Sequence, residues 1–179
     1  MADALPDGYK LCFNYGFRPL ALQWCLWLSS VDNKRKNNPN LSDEQIKSLA
    51  RKTCACPEDG FGPHQTGGAV DLTIVGPDEQ QLDMGTPFSD HSIYSTTKYN
   101  DISDVAKSNR RMLLDAMESS GFVNYPREWW HYSYGDRAWV AYRRKKCAIF
   151  GKTKCPEYKL KPDQVDLLKN NNIHLTPGE

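Results

Sequence analysis

Apolar and polar residues alternate along Tyr9-Lys10-Leu11-Cys12-Phe13-Asn14-Tyr15, the period-two pattern of a half-buried strand. Gly16 turns the chain, and Pro19 suits the first turn of a helix. From Leu20 to Leu28 apolar side chains fall on nearly every helical face, which predicts a deeply buried helix. Residues 32–40 are polar and basic and are expected to form a loop. Ser42 and Gln45 make a capping box for a short helix ending near Lys52. Residues 53–63 mix glycine, proline and acidic groups and should be irregular. The run Ala69-Val70-Asp71-Leu72-Thr73-Ile74-Val75 is rich in β-branched residues and predicts a buried strand, closed by a turn at Gly76-Pro77-Asp78-Glu79.

The second half begins with Met84-Gly85-Thr86-Pro87-Phe88-Ser89-Asp90, too poor in apolar residues for a core element and expected as a binding loop. His91 falls in the exposed stretch that follows and reads as a bystander. A helix over 104–119, capped by 101–103 and stopped by Gly121, puts Val105, Met112, Leu113 and Met117 near one face, with the two methionines as core filler. Strands are expected at 122–125, 129–134 and 138–142, the last two joined by a hairpin at Gly135-Asp136, with 146–150 as a further candidate. Beyond Lys152 the chain is rich in lysine and asparagine and reads as a tail, with one short helix near 164–169. The organisation expected is one domain over 1–151 and a tail over 152–179.

Composition narrows the function classes. Apolar residues are 39% and charged residues 25% of the 179, as in a soluble globular protein. A net charge of +1 offers no global field for nucleic acid or an acidic membrane. No apolar run approaches the roughly 20 residues of a membrane span, and residues 1–9 lack the basic and apolar regions of a secretory signal. The six cysteines show no zinc-knuckle spacing, so free thiols in a reducing compartment are expected, with the cytosol as the default.

Chemistry concentrates in two places. His64 and Asp71 lie seven positions apart, with Gly67-Gly68 between them. A carboxylate inside a buried strand needs a partner. A metal shared with His64 is one solution, and backbone donors are the commoner one. Glu128-Trp129-Trp130-His131 is the second constellation: the tryptophans either fill the core or wall a polar site off from water. Taken together, His64, Asp71 and His131 form a nitrogen and oxygen set with an open fourth position, as in catalytic zinc sites, leaving Glu128 as general base. Arg18, at a strand-to-helix turn, is either a surface residue or an anion-binding group.

With these residues the sequence resembles the zinc D-alanyl-D-alanine dipeptidases of the vancomycin-resistance type, within the D-Ala metallopeptidase and Hedgehog-like fold group. His64, Gly67, Ala69 and Asp71 meet the family pattern Ser-x-His-x-x-Gly-x-Ala-x-Asp, and Glu128 to His131 meet its Glu-Trp-Trp-His signature. Ser133 to Arg137 continue it. Tyr15-Gly16-Phe17-Arg18-Pro19 resembles the family's arginine motif, and Met84 to Phe88 its substrate loop.

The resemblance implies an α+β fold with a central antiparallel sheet flanked by helices. It also implies one Zn2+ on His64, Asp71 and His131, with Glu128 as base and Arg18 as the transition-state cation. Phe88, Ser89, Asp90, Trp129 and Trp130 are the expected substrate contacts. The substrate implied is a small peptide, D-Ala-D-Ala or a peptidoglycan fragment. Gly62 replaces a substrate-holding serine, Ser89 stands where an aspartate binds the substrate amine with Asp90 beside it, and the family's longer N-terminal segment is absent. These departures keep two other readings open: a carboxypeptidase or endolysin-like peptidase on longer cell-wall peptides, and a zinc-bearing module without activity.

Overall fold

A strand carrying an aspartate in its middle forms the centre of the sheet in the computed structural model, which describes residues 4–155 and 157–176. In chain order the elements are β1 (Lys10–Tyr15), α1 (Leu20–Asn37), α2 (Asp43–Arg51), β2 (Ala69–Val75), α3 (Asp104–Ser119), β3 (Val123–Asn124), β4 (His131–Ser133), α4 (Arg137–Arg143) and α5 (Pro162–Asn170). Short 3-10 turns occupy Pro57–Asp59, Pro63–Thr66 and Ile93–Ser95. The class is α+β, as expected. The chain divides into two compact units, one from its start to Phe17 and from Thr66 to Gly151, the other from Arg18 to Gln65 and from Lys152 onward.

The first unit holds a four-stranded antiparallel sheet in the order β1-β2-β4-β3. Leu72 and Ile74 on β2 pack with Leu113, Leu114 and Met117 of α3 and with Trp129, Trp130 and Tyr132. Full burial of each such side chain contributes about 1.5–3 kcal/mol. Ser103 caps α3 by accepting from Ala106 N at 3.1 Å. The buried stripe of α3 is Ala106, Arg110, Leu113, Leu114, Ala116 and Met117, while Val105 is 62% exposed. The expected face was therefore one position out of phase at its start, because a small alanine and a buried arginine carry the stripe that an apolar count overlooks. Met84, assigned to a loop too polar for the core, is buried in it.

Residues 138–142 form no strand. Asp136 accepts from Trp139 N at 2.9 Å and caps α4, so the expected hairpin is the start of a helix. The strand-like composition of Ala-Trp-Val-Ala-Tyr yields to that local cap. Residues 146–150 are irregular, with Ile149 N and Phe150 N both donating to Gly135 O at 2.7 and 2.9 Å. The strand expected at 129–134 begins only at His131.

The second unit is helical. The capping box of α2 is present, with Ser42 and Gln45 exchanging both bonds. Helix α1 is buried on two sides rather than all round. Trp27 and Val31 meet Ile46 and Ala50 of α2, and Ala21 and Cys25 meet Leu168 of α5. It also runs through most of the expected loop, to Asn37. An Asp32–Lys36 ion pair at 2.8 Å joins successive turns, and Lys34, Arg35 and Lys36 suit a helix C-terminus. The segment after Lys152 carries α5, docked on α1 through Leu168. Burial pushes the Cys25 and Cys54 thiols up, which disfavours the reactive thiolate form.

Arg110 anchors the loop that follows β2. Its buried guanidinium donates to the carbonyls of Met84, Thr96 and Tyr94 at 2.7, 2.8 and 2.9 Å. Burial pulls its pKa down, yet an arginine remains charged. Arg110→Met would strand three carbonyls, each costing about 1–3 kcal/mol. Chemical denaturation should show a loss on the order of 3 kcal/mol or more, and a loss below about 1 kcal/mol would mean that the loop is held by other contacts.

Candidate active site

The site grows from the register of β2. Asp71 lies opposite Tyr15 on β1 and His131 on β4. Its Oδ1 is 2.8 Å from His131 Nδ1, with both side chains buried. His64 comes from the 3-10 turn just before β2. The two glycines of that connection serve different ends. Gly67 has φ +72, in the left-handed region, and a Cβ on Gly68 would collide with the Tyr134 carbonyl oxygen. Tyr134 N donates to Gly68 O at 2.8 Å, so the close approach locks the start of β2 to the end of β4.

His64, Asp71 and His131 each offer a ligand atom, and these atoms lie within 4.8 Å of one another. Two imidazoles and one carboxylate, all buried, fit the donor chemistry of a zinc site with room for a fourth ligand. The three ligands expected from the two motifs are thus brought together. Asp71 meets an imidazole, that of His131, at 2.8 Å.

Glu128 lies in a tight turn and not at a strand end. Glu128 N donates to Tyr125 O at 3.0 Å, and His131 N donates to Glu128 O at 3.2 Å. Asn124 Nδ2 donates to the carbonyls of both Glu128 and His131 at 3.0 Å, while its Oδ1 accepts from the Thr97 hydroxyl at 2.6 Å. Trp129 N donates to Ser95 O at 3.1 Å, and its indole N–H donates to Thr86 Oγ1 at 2.9 Å. The turn is clamped on both sides.

The other expected residues differ in placement. Trp129 and Trp130 are each 2% exposed and belong to the core. Phe88 packs on Trp130 with ring centres 5.4 Å apart, and Tyr15 stacks on Phe88 at 5.8 Å. Ser89 is exposed with φ +63. The Asp90 carboxylate accepts from Ser92 N and Ser92 Oγ at 2.8 and 3.0 Å, so part of its acceptor capacity is spent on its own turn. Arg18 is not a free surface group: its N donates to His64 O at 3.0 Å, and Nη1 donates to Gln23 Oε1 at 3.0 Å. Gln23 is fixed in turn by donating to Ala55 O at 2.8 Å. At Gly62 an added Cβ would meet only Gln65 Oε1, at 3.6 Å, so a side chain fits there.

Sequence reading missed three contributors. His91 is no bystander, since its Nδ1 lies 3.3 Å from Glu128 Oε1 and its ring meets Trp130 edge-on at 5.8 Å. Asn124 and Thr86 do their work through hydrogen bonds that no periodicity reveals. For His91 the available signal was its place directly after the Met84 to Asp90 loop.

Site and sheet together define an α+β protein with a cluster that could hold a metal ion, its side chains drawn from a pre-strand turn, a central strand and that strand's neighbour. A family model for D-Ala-D-Ala dipeptidases matches residues 1–150, and the chain belongs to that family. It is 39% identical over 161 residues to a D-alanyl-D-alanine dipeptidase of Synechocystis sp., covering 78% of this chain and 65% of that protein. It is 33% identical over 142 residues to a D-alanyl-D-alanine dipeptidase of Enterococcus faecium, covering 74% and 66%. The chain thus spans just under two thirds of the length of these curated relatives. A solved structure of VanYB in complex with D-Alanine-D-Alanine aligns at a TM-score of 0.46 and 23% identity, over 79% of this chain and 69% of that one.

The Asn124 clamp gives a test of the site's construction. Loss of a partner that orients a metal ligand typically costs about 10–100-fold in metal affinity. Asn124→Ala should weaken zinc binding by that order in a competition titration with a chromogenic chelator. Unchanged affinity would show that the turn holds its shape without the amide.

Proposed function

We propose that this chain is a zinc-dependent peptidase that hydrolyses D-alanyl-D-alanine or a closely related D,D-dipeptide. The observation that carries the reading is the buried His64, Asp71 and His131 donor set with Glu128 placed one turn before His131. Its relatives, named as D-alanyl-D-alanine dipeptidases, support the substrate class. A zinc ion held by the three side chains supplies a Lewis acid that makes water acidic near neutral pH and polarises a carbonyl.

The remaining steps belong to the chain's own groups. Glu128 takes a proton from the attacking water and hands it to the departing amine nitrogen. Arg18, held by Gln23, sets a permanent cation against the charge that develops on the carbonyl oxygen. Phe88, backed by Trp130, forms an apolar wall, and Trp129 braces that wall through Thr86. Ser89 and the remaining acceptor capacity of Asp90 receive the substrate's amino group.

The catalytic domain is residues 1–151, in keeping with a family match that ends at residue 150, and 152–179 is an appendage braced on α1. The working compartment is the cytoplasm, supported by six cysteines that are all free thiols. Among the described residues no helix is long and apolar enough to cross a membrane.

Zinc analysis and steady-state assays on free D-Ala-D-Ala and on a peptidoglycan pentapeptide test this reading. Glu128→Gln and Arg18→Ala should keep zinc and lose about 10²–10⁴-fold in kcat. His64→Ala should lose the metal as well. Cleavage of the pentapeptide alone would move the chain to the carboxypeptidase or endolysin-like reading, and a zinc-loaded protein inert on both substrates would make it a binding module.

Specificity has its own test. Gly62 has room for a side chain, and Ser89 lacks the charge that holds an ammonium group. Gly62→Ser with Ser89→Asp should therefore lower KM for D-Ala-D-Ala more than it raises kcat, because the added contacts bind substrate and transition state alike. An unchanged KM would show that Asp90 or another group already holds the amine.

A further inference from the structure

We propose that His91 is a positioning residue for Glu128, its imidazole Nδ1 in polar contact with the carboxylate and holding it in the orientation from which it takes a proton. The inference rests on the base role given to Glu128 above.

Three observations meet at His91. Its Nδ1 lies 3.3 Å from Glu128 Oε1. The two side chains are only 32% and 22% exposed, so water competes weakly for the contact. The ring is set edge-on against Trp130, which is itself packed on Phe88 and Trp129. The loop that carries His91 is held from behind by the Arg110 bonds to Met84, Tyr94 and Thr96, and locally by the Asp90–Ser92 turn. His91 is therefore presented from a fixed support.

Glu128 needs such support. Asn124 and Tyr125 fix its backbone, but the carboxylate sits at the end of three rotatable bonds. A general base has to stay within hydrogen-bond reach of the proton it removes. The imidazole edge, 3.3 Å from Oε1 and braced by Trp130, limits the swing of the carboxylate. The contact acts through geometry: no change in the charge of His91 is required.

The full-length zinc-loaded chain serves for the test, with two substitutions. His91→Phe keeps a ring against Trp130 and removes the polar nitrogen. His91→Asn places an amide nitrogen the same number of bonds from Cα as Nδ1 and restores it. With D-Ala-D-Ala as substrate, His91→Phe should lose about tenfold in kcat, a misplacement effect, with KM within about twofold and zinc content unchanged. His91→Asn should recover to within about threefold of the parent rate. Wild-type kcat in His91→Phe, or an equal loss in His91→Asn, would overturn the proposal.

A readout that does not depend on turnover accompanies the kinetics. The side-chain carboxyl carbon of Glu128 is followed by NMR in 13C-glutamate-labelled protein and assigned with Glu128→Gln. His91→Phe should broaden or split that signal, and His91→Asn should keep it single. A signal indifferent to both substitutions refutes the positioning role. Absence of hydrolysis by the parent chain on every peptide instead refutes the peptidase reading, while the NMR signal still decides the contact between His91 and Glu128.

Discussion

A carboxylate in the middle of a central strand is the constraint around which the first unit is built. Asp71 is 5% exposed, flanked in sequence by residues that fill the core. Such a group is tolerated only with a partner of matching chemistry, because unpaired burial of an ionised oxygen costs several kcal/mol. The register of the sheet supplies that partner by setting His131 opposite it. Sliding β4 by one residue would turn His131 to the other face and present Tyr132 or Trp130 instead. The contacts that fix this register are consequently part of the site: the Gly68–Tyr134 approach at one end of β4, and the Asn124 clamp at the other.

The turn at Glu128 to His131 solves a second problem with the same means. Two polar side chains three residues apart, Glu128 and His131, would point in divergent directions from a regular strand, whose side chains alternate between faces. A turn closed by the His131 N–Glu128 O bond frees them from that alternation. Its exposed carbonyls are then absorbed by one asparagine, and its two tryptophans go inward to the core. The apolar residues of the motif thereby anchor the polar ones.

Much of this was legible in the sequence wherever the cause was local. The capping box of α2, the cap and stop of α3, and the β-branched run of β2 all depend on neighbours within a few residues. The two chemistry-bearing motifs were legible as short local patterns, and the structure does bring His64, Asp71 and His131 together. Elements whose state depends on distant packing were not legible. Helix α1 is clad on two sides by α2 and α5, so its pattern showed no single face and its polar end looked like loop. In α4, one aspartate cap and two alanines outweighed three strand-forming residues, Trp139, Val140 and Tyr142. His91 was invisible because its meaning lies in a glutamate thirty-seven positions away, across a loop whose path is set by Arg110.

The separation of the ligands along the chain bears on how the molecule matures. His64 and Asp71 sit on one continuous piece of backbone, but the Asp71–His131 pair closes a loop of 60 residues. Local pairs form early, and contacts of that span wait until intervening structure has formed. The third ligand therefore arrives only when β4 docks beside β2. Because a metal binds the assembled set far better than the open chain, its occupancy draws the final docking forward by mass action. With a metal on this set, its scarcity during synthesis would leave β4 undocked for longer and the β2 edge uncovered, open to proteases and to pairing with other strands.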